Sequence, residues 1–321
     1  MLAPRNHPVN TVRRGGQARG ALTSPPVRIG GYDIEGRIGQ GGMAEVLLGR
    51  EIGGPRAGAP VAVKRLLPAV AGDPECVASF GREIGLARAL DHPAIVKALA
   101  AGVEDGVPYL VLEYVDGRDL ARLLAACARR GISLPLAFAL YVAHVVAGAL
   151  DHAHHLAGAD GRPLGLVHCD VSPSNVFVSS AGEVKLGDFG VARAAGDARP
   201  RVAFGKVRYL APEQLRGAPV GPRTDVFGLG AVLHELITGA PAFPGDGAAE
   251  VVTRILSGER RAPSRDRPEV PPEVDAVVLR ALAVDDRTRD AAALAEAIAA
   301  CYDARVGNPL AIAALVRGVL G

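Results

Sequence analysis

In the middle of the chain the sequence reads His168-Cys169-Asp170-Val171-Ser172-Pro173-Ser174-Asn175. Two further short motifs follow it in order, Asp188-Phe189-Gly190 and Ala211-Pro212-Glu213. Between the first two motifs, two extended pieces, Val176–Ser179 and Val184–Gly187, interrupt a pattern that is otherwise helical. The motifs therefore lie in a mainly helical part of the chain.

Helical periodicity continues on both sides of these motifs. It predicts the helices Asp119–Arg129, Leu136–Leu156, Thr224–Thr238, Glu250–Leu256, Glu273–Leu282 and Ala291–Tyr302. A final apolar stretch, Pro309–Leu320, predicts a helix that docks on the rest of the protein.

The part of the chain before these helices has the pattern of a β-sheet. Short segments bounded by Gly or Pro predict the strands Tyr32–Gln40, Glu45–Arg50, Pro60–Leu66, Ile95–Gly102 and Pro108–Tyr114. Asp73-Pro74 supplies an N-cap and a proline at the first helical position, which predicts one helix running to about Leu90. The change from sheet to helix falls near Val115–Gly117, and such a junction is a preferred place for a ligand cleft.

Composition excludes several classes of function. The 321 residues carry a formal net charge of +2 and no Trp, so neither a basic field nor stacking platforms indicate a nucleic-acid partner. The four cysteines are irregularly spaced, which indicates a reduced protein without a disulfide frame or structural zinc; they are Cys76, Cys127, Cys169 and Cys301. We therefore expect a soluble, cytoplasmic protein.

Two segments resemble targeting or membrane elements by composition. Residues 1–31 hold five arginines and no acid but lack an apolar run, so they predict a flexible basic tail and not a secretory signal. Contact of this tail with an acidic partner or a membrane surface is the alternative. Gly131–Leu150 is uncharged and about as long as a membrane span, but Pro135 suits a helix start and Ala, Gly and His dilute its hydrophobicity. We interpret it as a buried core helix and expect no transmembrane segment.

A phosphate site is indicated by a glycine-rich turn and a lysine. The turn reads Ile38-Gly39-Gln40-Gly41-Gly42-Met43-Ala44-Glu45-Val46, and its glycines allow backbone N–H groups to approach phosphate oxygens. An ordinary hairpin turn is the alternative. Lys64 follows on the third strand and is one of only four lysines among 36 basic residues, which favours a site that needs a compact ammonium. Glu83, in the next helix, is its candidate partner.

Taken together and in order, these motifs resemble those of the eukaryotic-type (Hanks-type) Ser/Thr protein kinases of bacteria, over about Tyr32 to Tyr302. The resemblance implies an α+β fold of two lobes, with a five-stranded antiparallel sheet and one helix in the first lobe and a mainly helical second lobe. It divides the chain into a tail (1–31), a kinase domain (32–302, with lobes 32–114 and 118–302 and a hinge at 113–117) and a C-terminal docking helix within 303–321. The implied reaction is transfer of the γ-phosphoryl group of ATP to Ser or Thr of a protein substrate, with Mg²⁺, or alternatively Mn²⁺, as the ion.

The resemblance assigns a role to each motif. Lys64 would hold the α- and β-phosphates and would be positioned by Glu83. Asp170 would accept the proton of the substrate hydroxyl. Asp188 would bind the magnesium ion and Asn175 a second ion, since carboxylate and amide oxygens are hard ligands.

The resemblance also implies a nucleotide site. Residues Gly39, Gln40, Gly41, Gly42, Met43, Ala44 and Val46 would cover the phosphates. Backbone groups of Glu113 and Val115 would bond the adenine edge, and Asp119 the ribose. Apolar contacts with the adenine ring would come from Ile38, Val46, Ala62 and Phe177, with ordinary core packing as the alternative. Two structural roles follow as well: Glu213 would pair with Arg289, and Asp225 would brace the catalytic loop.

Three departures from the family pattern occur together. Cys169 replaces the arginine that commonly reads a phosphate on the activation loop, and Val191–Leu210 contains no Ser or Thr. The sequence therefore predicts activity without activation-loop phosphorylation. Ser172 replaces the catalytic-loop lysine, while Lys206 stands where the family usually has a threonine. Because these two positions face each other in the family, we expect that the hydroxyl and the ammonium have been exchanged.

Two groups are interpreted without a catalytic role. We interpret Cys169 as a small buried side chain, because the neighbouring Asp170 carboxylate disfavours a reactive thiolate. We interpret His152, His154 and His155 as the polar end of the long helix, a metal site being the alternative. The alternative to the enzyme as a whole is a pseudokinase, a nucleotide-binding scaffold without transfer. Two departures favour it: Ser172 in the catalytic loop, and Ala44 at the position of the third glycine of the family's glycine-rich loop. A protein substrate is the expected partner, and no nucleic acid is expected.

Overall fold

A computed structural model describes residues 27–158, 160–194, 206–301 and 309–320. The first part of the chain forms an N-lobe that consists of β1 (Arg28–Ile29), β2 (Tyr32–Gln40), β3 (Ala44–Glu51), β4 (Pro60–Leu66), α1 (Pro74–Ala89), β5 (Ala98–Glu104) and β6 (Val107–Glu113). The strands form one antiparallel sheet in the order β1-β2-β3-β4-β6-β5. The predicted antiparallel sheet with one helix is confirmed, with six strands where five were expected.

The additional strand, β1, lies within the residues assigned to the basic tail. Ile29 is 1% exposed and packs with Val61 and Val63 in one apolar cluster. The Ile34 N–H also donates to the Val27 carbonyl at 2.9 Å. The ordered lobe therefore begins before Tyr32; a two-residue strand is too short to give a periodic signal in the sequence.

The strand β4 shows how alternation builds this lobe. Val61 and Val63 are fully buried on one face of the sheet, and Leu66 on the other face packs against Phe80 of α1. Lys64 shares the face of Leu66, because successive side chains of a strand point to opposite sides. The helix on that side is α1, and its N-cap is Asp73, whose carboxylate accepts the Glu75 N–H at 2.8 Å. The lysine therefore points from the sheet toward α1.

The rest of the chain forms a mainly helical C-lobe. Its elements are β7 (Gly117–Asp119), α2 (Leu120–Arg130), α3 (Leu136–His154), β8 (Leu166–Val167), β9 (Val176–Ser179), β10 (Val184–Leu186), β11 (Arg193–Ala194), α4 (Pro212–Leu215), α5 (Pro222–Thr238), α6 (Ala248–Ser257), α7 (Pro272–Ala281), α8 (Ala291–Ala299) and α9 (Pro309–Leu320). The main core of the protein lies here, with α3 packed between α5 and α8. The predicted helices of this lobe are confirmed within a few residues at their ends.

One helix in the described part of the chain, α3, is long and apolar enough to cross a membrane by length and composition. In this fold 56% of its apolar window is buried inside the protein. The interpretation of this segment as a core helix is therefore confirmed.

Two small sheets and α9 lie beside the junction of the lobes. The strands β7, β9 and β10 form one sheet, and β8 pairs with β11 in the other. The helix α9 packs against α2 and β9, and two arginine side chains form hydrogen bonds at its C-terminal turn. Arg130 donates to the Val319 carbonyl at 2.5 Å, and Arg317 donates to the Ser180 carbonyl at 2.9 Å. Gly182 permits the approach, because a Cβ there would lie 1.8 Å from the Pro309 carbonyl oxygen.

Candidate active site

Lys64 joins the two lobes at the centre of the cleft. Its ammonium lies 2.5 Å from Glu83 Oε1 on α1 and 2.8 Å from Asp188 Oδ1 in the C-lobe. Burial lowers the pKa of Lys64, but the charges of Asp188 and Glu83 outweigh burial and raise the pKa above its ordinary value. The lysine is therefore a fixed positive charge, and the Lys64–Glu83 pair predicted from the sequence is present.

Asp188 is held in an unusual backbone conformation. Its φ and ψ are 62° and 68°, in the left-handed region that non-glycine residues seldom adopt. Burial raises the pKa of Asp188, yet the charge and hydrogen bond of Lys64, with Lys206 and His168, lower it to about 2. The carboxylate is thus ionised at neutral pH, and about half of its side chain is exposed to the cleft.

The residues after Asp188 fix this arrangement. Phe189 packs edge-on against the buried His168 ring, with the ring centroids 4.5 Å apart. A Cβ on Gly190 would lie 2.8 Å from Glu83 Oε2, so only glycine passes beside the glutamate without displacement. The Asp-Phe-Gly motif therefore packs on both the catalytic loop and α1.

The catalytic loop is held from below by a buried carboxylate on α5. Asp225 Oδ2 accepts the His168 N–H and Oδ1 accepts the Cys169 N–H, each at 2.8 Å. The predicted bracing by Asp225 is thus seen directly. His154 of α3 adds a third bond, with its Nε2 at 2.8 Å from Asp225 Oδ2. This buried contact was missed from the sequence, which suggested only the polar end of a helix.

Asp170, Asn175 and Lys206 form one hydrogen-bonded cluster. The Asn175 amide nitrogen donates to the Asp170 carbonyl and to Asp170 Oδ2, both at 2.8 Å. The Lys206 ammonium lies 2.5 Å from Asp170 Oδ2 and 3.3 Å from Asn175 Oδ1. The structure thus brings the lysine at position 206 to the aspartate that the sequence singles out as the proton acceptor.

Ser172 lies beneath this cluster and is only 1% exposed. Its hydroxyl lies 3.2 Å from the hydroxyl of Ser174, which in turn donates to Asn175 Oδ1 at 3.4 Å. The hydroxyl at position 172 therefore contributes to the support of Asn175, while the positive charge comes from Lys206.

The glycine-rich turn lies between β2 and β3, as predicted. The Gly41 N–H donates to the Ala44 carbonyl at 2.8 Å and closes the turn. Ala44 is buried, and Met43 packs toward the cluster around Leu66 in the N-lobe core. Gly39 pairs with Val46 across the strands. Gly39, Gln40 and Gly42 stay candidate phosphate-binding residues with Gly41.

The predicted hinge residue Glu113 is tied on three sides. Its backbone N–H donates to the Lys97 carbonyl at 2.9 Å. Its carboxylate accepts from the Lys97 N–H at 2.9 Å and from the Lys185 ammonium at 2.7 Å. The Glu113 N–H is therefore already bonded. The Glu113 carbonyl and the backbone groups of Val115 stay predictions as adenine contacts. The role of Lys185 was missed from the sequence, although lysine scarcity marks it.

The other candidate nucleotide contacts lie on adjoining strands. Asp119 pairs with Phe177 across β7 and β9, and its carboxylate caps α2 by accepting the Arg122 N–H at 2.9 Å. Ala62 is buried on β4, while Ile38 is 38% exposed on β2. The roles of these residues as nucleotide contacts stay predictions. The capping bond also gives Asp119 a structural role.

The predicted pairing of Glu213 with Arg289 is wrong. Glu213 Oε1 lies 2.8 Å from Arg287, whose side chain is 2% exposed and stacks over the Phe227 ring at 5.0 Å. Arg289 is 79% exposed and pairs with Asp290 instead. Burial raises the pKa of Glu213, but the hydrogen bond and the charge of Arg287 outweigh burial and lower the pKa below its ordinary value.

Part of the predicted activation loop, residues 195–205, lies outside the described residues, as do 1–26 and 302–308.

The position at which the family has an arginine and this chain has Cys169 lies within the described residues. Cys169 is buried in a small cluster with Val167 and Val220. The Cys169 carbonyl accepts from Gln214 at 2.8 Å. A small apolar side chain thus fills the position, as the sequence predicts.

Comparison with known proteins identifies the family. The protein kinase domain matches residues 32–299 of the chain. Among curated relatives, the tyrosine-protein kinase MasK of Myxococcus xanthus is 36% identical over 84% of this chain. The probable serine/threonine-protein kinase SCO3848 of Streptomyces coelicolor is 38% identical over 92% of it, and the serine/threonine-protein kinase PknB of Mycolicibacterium smegmatis 37% identical over 84%.

A solved structure agrees with the sequence relatives. The PknI kinase domain of Mycobacterium tuberculosis superimposes with a TM-score of 0.64 at 31% identity, covering 88% of this chain and 100% of that one. The chain spans only 42%, 44% and 42% of the lengths of MasK, SCO3848 and PknB, respectively.

Proposed function

The chain belongs to the protein kinase family, and on that premise we propose that it transfers the γ-phosphoryl group of ATP to Ser or Thr hydroxyls of protein substrates. The observation that carries this proposal is the contact chain from Glu83 through Lys64 to Asp188, beside the Asp170–Lys206 pair. In protein kinases the lysine–glutamate pair and the metal-binding aspartate must both be in place for transfer. A nucleotide-binding scaffold requires none of these charges to be arranged in this way.

Asp170 is the candidate acceptor of the substrate proton. The bonds from Asn175 and Lys206 both fall on its Oδ2. Within the described part of the chain, Oδ1 is therefore left to accept a hydrogen bond from the substrate hydroxyl. The two donors hold the carboxylate in one orientation, which is how positioning contributes to the rate.

The residues at Asp188 fit a divalent cation. The carboxylate is ionised and faces the cleft. The backbone of Asp188 itself is held in a strained conformation, which is common at ligand sites. A magnesium ion held here would supply neutralisation of the charge that develops on the phosphate oxygens. Asp188 would hold the ion, and Lys64, already oriented by Glu83, would bind the α- and β-phosphate oxygens.

The hydroxyl specificity is part of the proposal. Two of the relatives are named Ser/Thr kinases and one, MasK, is named a tyrosine kinase. The sequence Asp170-Val171-Ser172-Pro173-Ser174-Asn175 does not resemble the tyrosine-kinase loop, which has Ala and Arg after the aspartate. Phosphoamino-acid analysis of labelled product decides it: label on Ser or Thr agrees with the proposal, and label on Tyr alone contradicts it.

We propose in addition that the kinase is active without phosphate on its activation loop. The Lys64–Glu83 pair is formed, and the position of the phosphate-reading arginine is filled by Cys169 in an apolar cluster. Val191–Leu210 offers no Ser or Thr to phosphorylate. Protein treated with phosphatase should keep its full activity; an inactive product that regains activity on phosphorylation would contradict this proposal.

The rival function is a pseudokinase that binds nucleotide without transfer. The test compares wild type with Asp170→Asn for binding of ATP and for transfer from γ-labelled ATP with magnesium to a basic Ser/Thr substrate. We expect both proteins to bind ATP and only the wild type to transfer label. Binding by both without transfer by either would favour the pseudokinase.

A further inference from the structure

The ammonium of Lys206 lies next to Asn175 Oδ1, the amide oxygen that a second cation would bind. Lys206 Nζ lies 3.3 Å from Asn175 Oδ1 and 2.5 Å from Asp170 Oδ2. Both oxygens are hard ligands of the kind that magnesium prefers. A compact ammonium with three donors can satisfy the same two oxygens.

The orientation of the Asn175 amide is fixed by its neighbours. Its nitrogen donates two hydrogen bonds to Asp170, to the carbonyl and to Oδ2. The amide therefore cannot flip without losing both bonds, and Oδ1 faces Lys206 and the Ser174 hydroxyl. Asn175 is 4% exposed, so water has little access to Oδ1 and few donors other than the lysine can bond it.

The segment that carries Lys206 is anchored in the C-lobe. Arg208 donates to the carbonyls of Phe243 and Gly245 at 3.3 and 2.9 Å, and Tyr209 donates to Glu235 at 2.5 Å. Burial, followed by the charge of Glu235, raises the pKa of the Tyr209 hydroxyl, which therefore stays a donor. The lysine is thus placed by a fixed segment, and its side chain is only 27% exposed.

We propose that Lys206 takes the place of the second divalent cation, so that this protein binds one ion per nucleotide, on Asp188, and uses Asn175 to hold the lysine. The proposal rests on the proposed function insofar as it assumes a nucleotide in the cleft. A second ion at Asn175 would lie against a like charge, which disfavours its binding. Removal of that charge should open the second site.

The experiment counts bound ions. The full chain is saturated with a non-hydrolysable ATP analogue and titrated with Mn²⁺, and free Mn²⁺ is followed by electron paramagnetic resonance. We expect one tight Mn²⁺ in the wild type and two in Lys206→Met, with the second bound at least about tenfold more tightly than any second ion of the wild type, as removal of a like charge predicts. Lys206→Gln serves as a second neutral variant, and thermal unfolding checks that each variant is folded.

Two controls locate the effect. Lys97→Met removes a lysine that is 57% exposed and paired with Asp91, and it should leave the count at one. Asn175→Ala in the Lys206→Met background should remove the second ion again. Two ions of similar affinity in both wild type and Lys206→Met, or one ion in both neutral variants, would overturn the proposal.

The count is independent of phosphoryl transfer, so the two proposals fail separately. A wild type that binds one ion but transfers no phosphate would contradict the proposed function and agree with this inference. An active wild type that binds two ions would do the reverse.

Discussion

Replacing Lys206 by methionine removes the only ammonium that contacts Asp170 within the described residues, and it should slow phosphoryl transfer. The Nζ–Oδ2 distance is 2.5 Å and the lysine side chain is 27% exposed, so the pair is neither fully buried nor fully solvated. A unit charge acting over about 4 Å is worth roughly 4 kcal/mol at an effective dielectric of about 20 and about 1 kcal/mol in water. Since about 1.4 kcal/mol is tenfold in rate, we expect kcat to fall on the order of ten- to a thousandfold.

The assay is steady-state transfer from ATP with total Mg²⁺ held just above the nucleotide concentration, so that free Mg²⁺ stays low. At low free Mg²⁺ the ion cannot substitute for the missing ammonium, so the loss is read at its full size. Lys97→Met is the matched control and should keep kcat unchanged, because its ammonium reaches Asp91 on the surface. A Lys206→Met protein that is folded, binds ATP and retains full kcat would contradict this role of Lys206.

The exchange hypothesis has its own variant. A protein with Ser172→Lys and Lys206→Thr together returns the charge to the catalytic loop, and it should recover part of the activity that Lys206→Thr alone loses. The recovery should be incomplete, because Ser172 is 1% exposed and a longer side chain must displace its surroundings. Equal activity of the single and double variants would contradict the exchange.

Three predictions concern the stability and packing of the C-lobe. Arg287→Ala leaves Glu213 without its buried partner and should lower the free energy of unfolding by about 3 kcal/mol. Arg289→Ala should change it by less than about 0.5 kcal/mol. Urea unfolding measures both variants, and equal effects would contradict the Glu213–Arg287 pair. Because pairing lowers the pKa of Glu213 from 4.5, its contribution is present above the unfolded-state pKa and is lost as the pH falls, so the cost of Arg287→Ala should shrink below about pH 4.5. Gly182→Ala should release α9 and speed its amide exchange, because φ is +88° and the new Cβ meets a carbonyl oxygen; Gly161→Ala, with φ +75° and open space, should leave α9 protected.

The motifs made most of the fold and the site predictable. The structure places four of the predicted site residues at one centre: Lys64, Asp170, Asn175 and Asp188. Their motifs occur in a fixed order along the chain, and a fold that brings these motifs together leaves few other arrangements of the four side chains. Lysine scarcity was also a sound signal: Lys64 and Lys206 lie at the centre and Lys185 holds the hinge glutamate. The signal fails for Lys97, whose ammonium lies in an exposed pair.

The misses have physical causes. Arg287 and Arg289 are two positions apart, and nothing in Arg287-Thr288-Arg289-Asp290 tells which guanidinium turns inward over Phe227. The contact of His154 with Asp225 joins residues far apart in the sequence, and its formation depends on how α3 packs against α5. Neither feature has a local signature, so both required the tertiary structure.

Transfer of phosphate by this kinase without prior phosphorylation is tested by the initial rate of the phosphate-free protein. The chain is produced with a phosphatase, its mass is verified, and γ-labelled ATP with magnesium is added together with a Ser/Thr substrate, beside Asp170→Asn. We expect label on Ser or Thr from the first time point, without a lag, in the wild type alone. No label in the wild type while ATP binds, or equal label in Asp170→Asn, would contradict it.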